Sequence, residues 1–290
     1  MQGRLLKDYR TYLKIERAMS LNTVASYCSD VGKFLDGLDG VSPEKVVADD
    51  IVTFLKGMDG MSERTQARFV SALRSFYRWM VLEGSVSDNP CDLVDSPKLG
   101  RYLPDVLSEE EVEAILSVAD TSSSQGIRDK AILEILYGCG LRVSETVGMK
   151  ISCMYFDEGF IRVRGKGSKE RLVPVGGYAV DAVRTYLEVR PIAADKESDD
   201  ILFLNRYGRK LSRQSVFKMI KTSALLAGIR KNISPHTLRH SFATHMIERG
   251  ADLRVVQDML GHESVTTTEI YTHIDSTTWQ KDILDHHPRK

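Results

Sequence analysis

The last quarter of the chain gathers side chains that could act together on one phosphate group. All seven histidines fall there, from His236 onwards, and residues 236–273 read HTLRHSFATHMIERGADLRVVQDMLGHESVTTTEIYTH. An arginine can grip two phosphate oxygens at once, a histidine can move protons near neutral pH, and a tyrosine hydroxyl can act as a nucleophile. These residue types at these spacings indicate chemistry on a phosphodiester.

His236 and Arg239 are predicted to share one face of a helix. The preceding Ser234 and Pro235 suit an N-cap and a first helical position, and residues three apart are neighbours on a helix surface. Phe242 belongs to an apolar series at four-residue spacing that would hold the adjoining side in a core. The helix should therefore present the histidine and the arginine together at its edge.

A second cation is needed, because a phosphoryl transition state spreads negative charge over several oxygens. Arg142 can supply it from the segment GCGLRVSE, in which Gly138 and Gly140 let the backbone turn before a new helix begins. Glu145, three residues further on, could orient the guanidinium. For this pair taken alone, an ordinary surface arginine with an i,i+3 partner is the alternative.

A lysine is expected at the tip of a β-hairpin. Residues 161–175, IRVRGKGSKERLVPV, alternate apolar positions on either side of a glycine-flanked turn that contains Lys166. A lysine at such a tip can enter a groove and donate a proton to a leaving oxygen. Spacing alone slightly favours the alternative, a solvated hairpin whose charges aid solubility.

Tyr271 is the candidate nucleophile. It ends an amphipathic stretch, SVTTTEIY, and stands nine residues after His262. Because the pKa of a free tyrosine is about 10, attack on phosphorus requires nearby cations or a proton acceptor, which the arginines and histidines would provide. A lone tyrosine in such a stretch is more often a core residue.

Taken together, the order Arg, Lys, His-x-x-Arg, His, Tyr resembles the tyrosine site-specific recombinase (phage integrase) family. The segments that resemble its Xer branch are GLRVSE, GKGSKERLVPV, HTLRHSFATHM, LGHESVTTTEIYTH and the closing HHPRK. The resemblance covers essentially the whole chain. It implies a mainly α fold with a small β-sheet, made of an N-terminal helical core-binding domain and a C-terminal mixed α/β catalytic domain.

The resemblance also implies which residues make and break bonds. Tyr271 would attack the DNA, form a 3′-phosphotyrosyl bond and leave a free 5′-hydroxyl. Lys166 would protonate the departing 5′-oxygen, and His236 would take part in proton transfer with the tyrosine.

The remaining residues of the family pattern would hold the phosphate. Arg142 and Arg239 would bind the scissile phosphate, and His262 would help to position it. One ester bond is exchanged for an equivalent one, so the resemblance implies no nucleotide energy source, no cofactor and no metal.

A zinc site is the alternative use of the histidine-rich helix, because histidines four residues apart, such as His236 and His240, can share a metal with a third ligand. The sequence argues against this alternative. No glutamate follows the first histidine, the four cysteines form no CxxC pair, and no acidic cluster stands nearby.

The chain is expected to form two domains with a linker between them. Residues 1–84 carry successive helical apolar stripes, and residues 106–290 begin with a capping-box pattern at Ser108 and Glu111. Between them, residues 85–105 contain three of the eight prolines and no apolar periodicity. By resemblance, the first domain clamps DNA and the second is the catalytic domain.

A net charge of zero at first argues against DNA binding, but the charges are unevenly placed. No acidic residue occurs between Asp200 and Glu248. That segment contains Arg206, Arg209, Lys210, Arg213, Lys218, Lys221, Arg230, Lys231 and Arg239. A smaller basic series, Arg64, Arg68, Arg74 and Arg78, is predicted to form the DNA-facing side of a helix, with a solvated basic face as the alternative.

Composition indicates a cytoplasmic protein without a membrane partner. The 290 residues contain no apolar run near the ~20 residues of a membrane span, and the first residues lack a hydrophobic signal region. Scattered cysteines suit a reducing compartment. A chain of this length with 42% hydrophobic residues can bury two cores.

The resemblance extends to the partners. It implies a double-stranded DNA recombination site and a homo- or hetero-tetramer on two such sites, with a second Xer-type recombinase and a DNA translocase activator as further candidates. A helix at 276–284 would pack into a neighbouring protomer, unless it folds back on its own domain. The expected role is resolution of chromosome dimers at cell division. Integration of a mobile element, a type IB topoisomerase and a DNA-binding accessory protein are the alternatives.

Overall fold

The computed structural model describes residues 2–38, 40–58, 60–95, 106–165, 169–261 and 283–289. It divides the chain into two compact units, one up to residue 102 and the other from residue 103 onwards. None of the helices in the described ranges combines the length and apolar character that crossing a membrane requires.

The described residues of the first unit are helical or irregular, as the sequence predicts. Ser20 and Ser62 cap the second and fourth helices with their side-chain oxygens, because polar side chains there satisfy free backbone N–H groups. Short 3-10 turns lie at Pro43–Lys45 and Pro90–Leu93. The helices are α1 (Gln2–Ile15), α2 (Leu21–Asp36), α3 (Ala48–Lys56) and α4 (Glu63–Leu82).

An aromatic cluster fills the core of this unit. The ring of Tyr9 meets that of Phe76 edge to face at 5.2 Å, and Phe34 meets Tyr77 in the same way at 6.3 Å. All four side chains are fully buried. Edge-to-face pairs add to the area that these rings remove from water, so the cluster holds α1, α2 and α4 together.

Arg68, predicted to face DNA, is exposed and also supports the fold of the first unit. Its guanidinium pairs with the carboxylate of Asp30 on α2. Asp30 is buried, and burial raises the pKa of its carboxyl group while the charge of Arg68 opposes the shift. This ion pair joins α4 to α2.

Arg74 also has a structural role. It donates to the backbone carbonyls of Cys91 and Val94, at 3.2 Å each. These contacts hold residues 90–94, which fall in the predicted linker, against α4, and the rest of that linker is described only up to residue 95. Of the predicted basic series on α4, Arg64, Arg68 and Arg78 are exposed and only Arg74 is half-buried.

The second unit combines helices with one small sheet. Its strands are β1 (Met154–Tyr155), β2 (Phe160–Arg164) and β3 (Glu170–Pro174). Its helices are α5 (Glu109–Ser117), α6 (Ser124–Gly138), α7 (Val143–Val147), α8 (Gly177–Val189), α9 (Lys196–Asp199), α10 (Arg213–Leu226), α11 (Pro235–Glu248) and α12 (Leu253–Leu260). The predicted capping box of Ser108 and Glu111 opens α5.

The sheet is antiparallel in the order β1, β2, β3. Strands β2 and β3 form the predicted hairpin, with Ile161 opposite Val173 and Val163 opposite Arg171. Burial alternates along β3, so Arg171 and Val173 both face the interior. Strand β1 is too short for its alternation to be recognised in the sequence.

Helix α6 forms the centre of the second unit. Its last eight residues are all buried, and it packs against α8 and α11. Tyr137 meets Phe242 of α11 edge to face at 6.2 Å. The apolar face predicted for α11 therefore contacts the helix that leads directly into the GCGLRVSE segment.

The last described residues of the chain, 283–289, pack on the second unit. Ile283 and His287 are buried, and the ring of His287 hydrogen-bonds to the carbonyl of Gly138 at 2.6 Å. Arg289 donates to both oxygens of the buried Glu134, at 2.9 and 2.7 Å. Residues 276–282 of the predicted terminal helix lie outside the described residues.

His287 should make stability depend on pH. Burial lowers its pKa, despite the backbone hydrogen bonds with Gly138 and Arg289. The unfolded chain then binds a proton more readily, so the contribution of neutral His287 is complete above about pH 6.5 and is lost as the pH falls below that value. We expect the difference in thermal midpoint between the wild type and His287→Asn to narrow from about pH 7.5 to about pH 5.5. An unchanged difference would contradict this assignment.

Candidate active site

The structure describes three of the six predicted site residues. Arg142 and Arg239 come together at one buried carboxylate, and His236 lies exposed in the first turn of α11. The other three, Lys166, His262 and Tyr271, lie outside the described residues.

Arg142 is the N-cap residue of α7 and is held there by hydrogen bonds. Its backbone N–H and its Nη1 donate to the two oxygens of Glu145, at 2.9 and 3.0 Å, and its Nη2 donates to the carbonyl of Gly261 at 3.1 Å. The predicted i,i+3 pair is therefore present. About a third of the Arg142 side chain (32%) stays exposed, so part of the guanidinium can meet a ligand.

Gly140 makes the turn before Arg142 possible. Its φ is +57°, and an added Cβ would lie 2.5 Å from Cδ1 of Phe242 and 2.9 Å from Cδ2 of Leu260. Only glycine has no side chain to place in that space.

The substitution Gly140→Ala is expected to lower the free energy of unfolding by about 3 kcal/mol, because backbone strain and overpacking add together. Gly228→Ala is the matched control: its φ is also positive, at +75°, but nothing lies within 4 Å of the added Cβ. That control should cost only about 1 kcal/mol. Urea denaturation of both variants measures the difference, and equal losses would contradict the packing argument.

Arg239 is buried on α11 while His236 is exposed, so the prediction that the helix presents both side chains at its edge is wrong for the arginine. Its Nη1 donates to the carbonyl of Gly140 at 2.7 Å, and its Nη2 donates to the carbonyl of Leu260. Burial and, after it, the charge of Arg142 lower the pKa of Arg239 to about 10. The guanidinium is still charged at neutral pH, so a positive charge stands in a largely dry site.

Glu145 is the common partner of the arginines. Its carboxylate is buried and accepts hydrogen bonds from Arg142, while Nη1 of Arg239 lies 4.0 Å from Oε2. A third arginine, Arg171, donates to both oxygens at 2.9 and 3.0 Å. Burial would raise the pKa of Glu145, but the hydrogen bonds and charge of Arg171, aided by Arg142, outweigh it and keep the pKa below its ordinary value.

Backbone carbonyls at the C-terminal end of α12 accept hydrogen bonds from all three arginines. The last carbonyls of a helix lack partners within it and carry partial negative charge, so cationic donors are favoured there. Each of three successive carbonyls accepts from a different arginine. The pairs are Met259 with Arg171, Leu260 with Arg239, and Gly261 with Arg142.

This arrangement, here called the arginine cluster, consists of Arg142, Arg171 and Arg239 around Glu145. Three guanidinium groups face one carboxylate, so the cluster keeps an excess of positive charge. The hydrogen bonds fix each guanidinium before any ligand arrives. A prearranged cationic site suits a phosphodiester, whose two non-bridging oxygens share a negative charge.

Two glycines, Gly165 and Gly261, lie close to the arginine cluster. An added Cβ on Gly165 would lie 3.4 Å from Nη1 of Arg171 and 3.6 Å from Oε1 of Glu145. One on Gly261 would lie 3.2 Å from Cζ of Arg171. Gly165 immediately precedes Lys166 in the sequence, and Gly261 immediately precedes His262.

Arg171 is a site residue that was not predicted from the sequence. It is buried, with 7% of its surface exposed, and it contacts Glu145 and the end of α12. A signal was present, because Arg171 shares the alternation phase of the apolar Val173 and Val175 in the predicted strand. A charged residue at a core-facing position of a strand requires a buried partner.

In the described ranges, the histidines of α11 are not arranged to bind a metal together. His245 turns into the core, where its Nδ1 hydrogen-bonds with the hydroxyl of Tyr137 at 2.8 Å. His240 is exposed. Within the part of the chain that the structure describes, no group of three or more His, Cys, Asp or Glu side chains is placed to hold a metal ion.

The acid-free segment between residues 200 and 248 carries its charge at the surface. Its basic residues are exposed, except for Arg239. Those on α10 or shortly before it in the sequence are Arg206, Arg209, Lys210, Arg213, Lys218 and Lys221. A basic surface on a neutral chain is what non-specific contact with phosphates requires.

Two protein-family models and many curated relatives match this chain. Residues 105–278 match the model of the phage integrase family, and residues 6–84 match that of the phage integrase N-terminal SAM-like domain. A tyrosine recombinase XerD of Chlorobaculum tepidum is 45% identical over 98% of this chain and 96% of its own length. One of Staphylococcus aureus strain N315 is 40% identical over 98% of this chain and 99% of its own.

A solved structure has the same fold. XerH site-specific recombinase bound to a palindromic difH substrate, in a post-cleavage complex, superposes with a TM-score of 0.73 at 25% identity. The match covers 95% of this chain and 83% of the other. With two family models that together span most of the sequence and relatives of 40–45% identity along nearly the whole of it, the chain belongs to the phage integrase family of tyrosine recombinases.

Proposed function

We propose that this protein is a site-specific DNA recombinase that cuts and rejoins DNA strands through a 3′-phosphotyrosyl intermediate on Tyr271. The observation that carries the proposal is the arginine cluster, a fixed site of excess positive charge in a chain of the tyrosine recombinase family. Phosphoryl transfer depends mainly on positioning and on charge stabilisation, and this cluster supplies both.

The reaction exchanges one ester bond for another. The Tyr271 oxygen attacks the phosphorus, so a tyrosyl O–P bond forms and the bond to the 5′-oxygen breaks. His236 takes part in moving the tyrosine proton, and Lys166 donates a proton to the departing 5′-oxygen. A 5′-hydroxyl from another strand then reverses these steps, and no nucleotide or metal is consumed.

Arg142, Arg239 and His262 hold the phosphate during transfer. Arg239 is buried and fixed by two carbonyls, while the partly exposed Arg142 offers the accessible edge of the site. As charge grows on the equatorial oxygens, these donors need no rearrangement to meet it.

Residues 1–84 act as the DNA-clamping domain, 85–105 as the linker, and 106–290 as the catalytic domain. The exposed basic residues on α10 and shortly before it support contact with double-stranded DNA, and the related XerH was solved on its difH substrate. We infer a tetramer on two DNA sites, joined by a second Xer-type recombinase or by copies of this chain alone.

The cellular role that fits best is resolution of chromosome dimers at division, in the cytoplasm, with a DNA translocase as activator. Relatives of 40–45% identity named XerD favour this role over integration of a mobile element. Mapping covalent adducts across the host genome should recover one chromosomal site. Adducts confined to the ends of a mobile element would favour integration instead.

A plasmid that carries two directly repeated copies of the mapped site separates recombination from its alternatives. Purified protein, with a second Xer-type recombinase if one is required, should convert the plasmid into two circles without ATP or divalent metal. Relaxation of supercoils without exchange would indicate a topoisomerase. Binding without cutting would indicate an accessory protein.

A further inference from the structure

The guanidinium of Arg171 donates hydrogen bonds to groups in the protein interior. Nη1 and Nη2 donate to the two oxygens of Glu145, and Nε donates to the carbonyl of Met259 at 2.7 Å. Its Nε, Nη1 and Nη2 are therefore all engaged with protein groups. Such a group is suited to hold other groups in place rather than to bind a ligand itself.

Stability alone does not account for a buried ion pair at this position. Desolvating an arginine and a carboxylate costs about as much as their attraction returns, and apolar residues of similar volume often serve as well or better. Val173, two residues further along β3, faces the same interior and shows that an apolar side chain suits this side of the strand. The charge of Arg171 therefore points to a role beyond packing.

Glu145 transmits the position of Arg171 to Arg142. Oε1 of Glu145 accepts from both Arg171 Nη1 and Arg142 Nη1. Oε2 accepts from Arg171 Nη2 and from the backbone N–H of Arg142. The bidentate contact with Arg171 fixes the plane of the Glu145 carboxylate. The orientation of that plane determines where the Arg142 guanidinium is held.

The surroundings of Arg171 leave it little room to move. Gly165 and Gly261 approach its guanidinium so closely that an added Cβ on either would lie within 3.4 Å of it. A displaced Arg171 would therefore disturb the residues that precede Lys166 and His262 as well as Glu145.

We propose that Arg171 is a positioning residue of the active site, which fixes Glu145 and through it aims Arg142 at the scissile phosphate. The inference rests on the proposed function, because it assigns Arg142 to the phosphate. Arg171 itself touches neither DNA nor the reacting atoms.

Single-turnover cleavage of a nicked duplex that carries the mapped site tests the proposal in the full-length protein. Arg171→Gln should lower the cleavage rate at saturating protein by about 100-fold, the scale expected when a catalytic group is misplaced by about 1 Å. Affinity for the duplex should change by less than about threefold, because other basic residues contact the phosphates. Unchanged cleavage would overturn the proposal.

Arg190→Gln is the matched control. Arg190 belongs to the same unit and donates to the carbonyls of Ser198, Asp199, Ile201 and Leu202, away from the arginine cluster. Its loss removes structural hydrogen bonds only, so cleavage at saturating protein should fall by less than about threefold. A loss equal to that of Arg171→Gln would assign Arg171 a merely structural role.

A substrate with a methylphosphonate at the scissile position supplies a second readout. One non-bridging oxygen is then a neutral methyl group, so the group carries one negative charge less and Arg142 has less charge to stabilise in the transition state. The rate difference between the wild type and Arg171→Gln should shrink to less than about fivefold on this substrate. A difference of the same size on both substrates would overturn the route through Arg142.

Arg171→Lys decides the question if Arg171→Gln does not fold. Lysine keeps the buried charge but cannot donate to both oxygens of Glu145 in one plane, so cleavage should still fall by at least about tenfold. Lysine restoring the full rate would overturn the proposal. Failure of the wild type to cleave would instead refute the proposed function.

Discussion

Tyr271→Phe is expected to abolish covalent attachment of the protein to DNA. Phenylalanine lacks the oxygen that forms the phosphoester bond, so the cleavage rate should fall by at least about 10⁴-fold, on the scale seen when a nucleophile is removed. The aromatic ring is kept, and DNA affinity should change little. Denaturing gel electrophoresis with a nicked duplex measures the adduct directly.

Tyr155→Phe provides the matched control for this experiment. It removes a phenolic hydroxyl from β1, in the same unit as Tyr271 but outside the arginine cluster. The adduct should form at the wild-type rate in this variant. An adduct that persists in Tyr271→Phe would mean that another residue attacks the phosphate.

Replacement of Arg239 by lysine should lower single-turnover cleavage by about 10³-fold. The buried guanidinium donates to two carbonyls, of Gly140 and Leu260, and has further N–H groups for the phosphate. Lysine keeps the charge but lacks the fork, so it cannot hold both carbonyls and the ligand in one plane. The loss should appear in the rate at saturating protein, since transition-state stabilisation is removed.

An exposed cation of the same segment serves for comparison. Lys218→Gln on α10 should weaken DNA binding and reduce its salt dependence, while the cleavage rate at saturation stays near that of the wild type. Equal effects of Lys218→Gln and Arg239→Lys on that rate would show that Arg239 contributes only general positive charge.

Local features of the fold could be predicted from the sequence because neighbouring residues determine them. Ser108 and Glu111 form their capping box, and β2 and β3 pair as the predicted hairpin. The pairing of Arg142 with Glu145 is of the same kind, since residues three apart at a helix start are necessarily close.

Contacts between distant residues could not be predicted in this way. The bond from Arg171 to Met259 spans 88 residues, and the approach of Gly165 and Gly261 to the same guanidinium depends on how β3 packs against α12. The pairing of Arg68 with Asp30 has the same origin. Helical periodicity placed Arg68 on a basic face but could not show that α2 presents a buried carboxylate to it.

The roles of Lys166, His262 and Tyr271 stay predictions that rest on family membership and on the sequence. They complete the arginine cluster only if the hairpin tip and the chain after α12 deliver them to it. Chemical tests at these positions therefore decide the account.

The most direct test identifies the amino acid that carries the DNA. Wild-type protein is incubated with a nicked duplex bearing the mapped site in excess chelator, and the trapped adduct is digested and analysed by mass spectrometry. The account predicts a 3′-phosphorylated nucleotide on Tyr271, with a free 5′-hydroxyl on the released strand. An adduct on another residue, or one that forms only when a divalent metal is added, would contradict it.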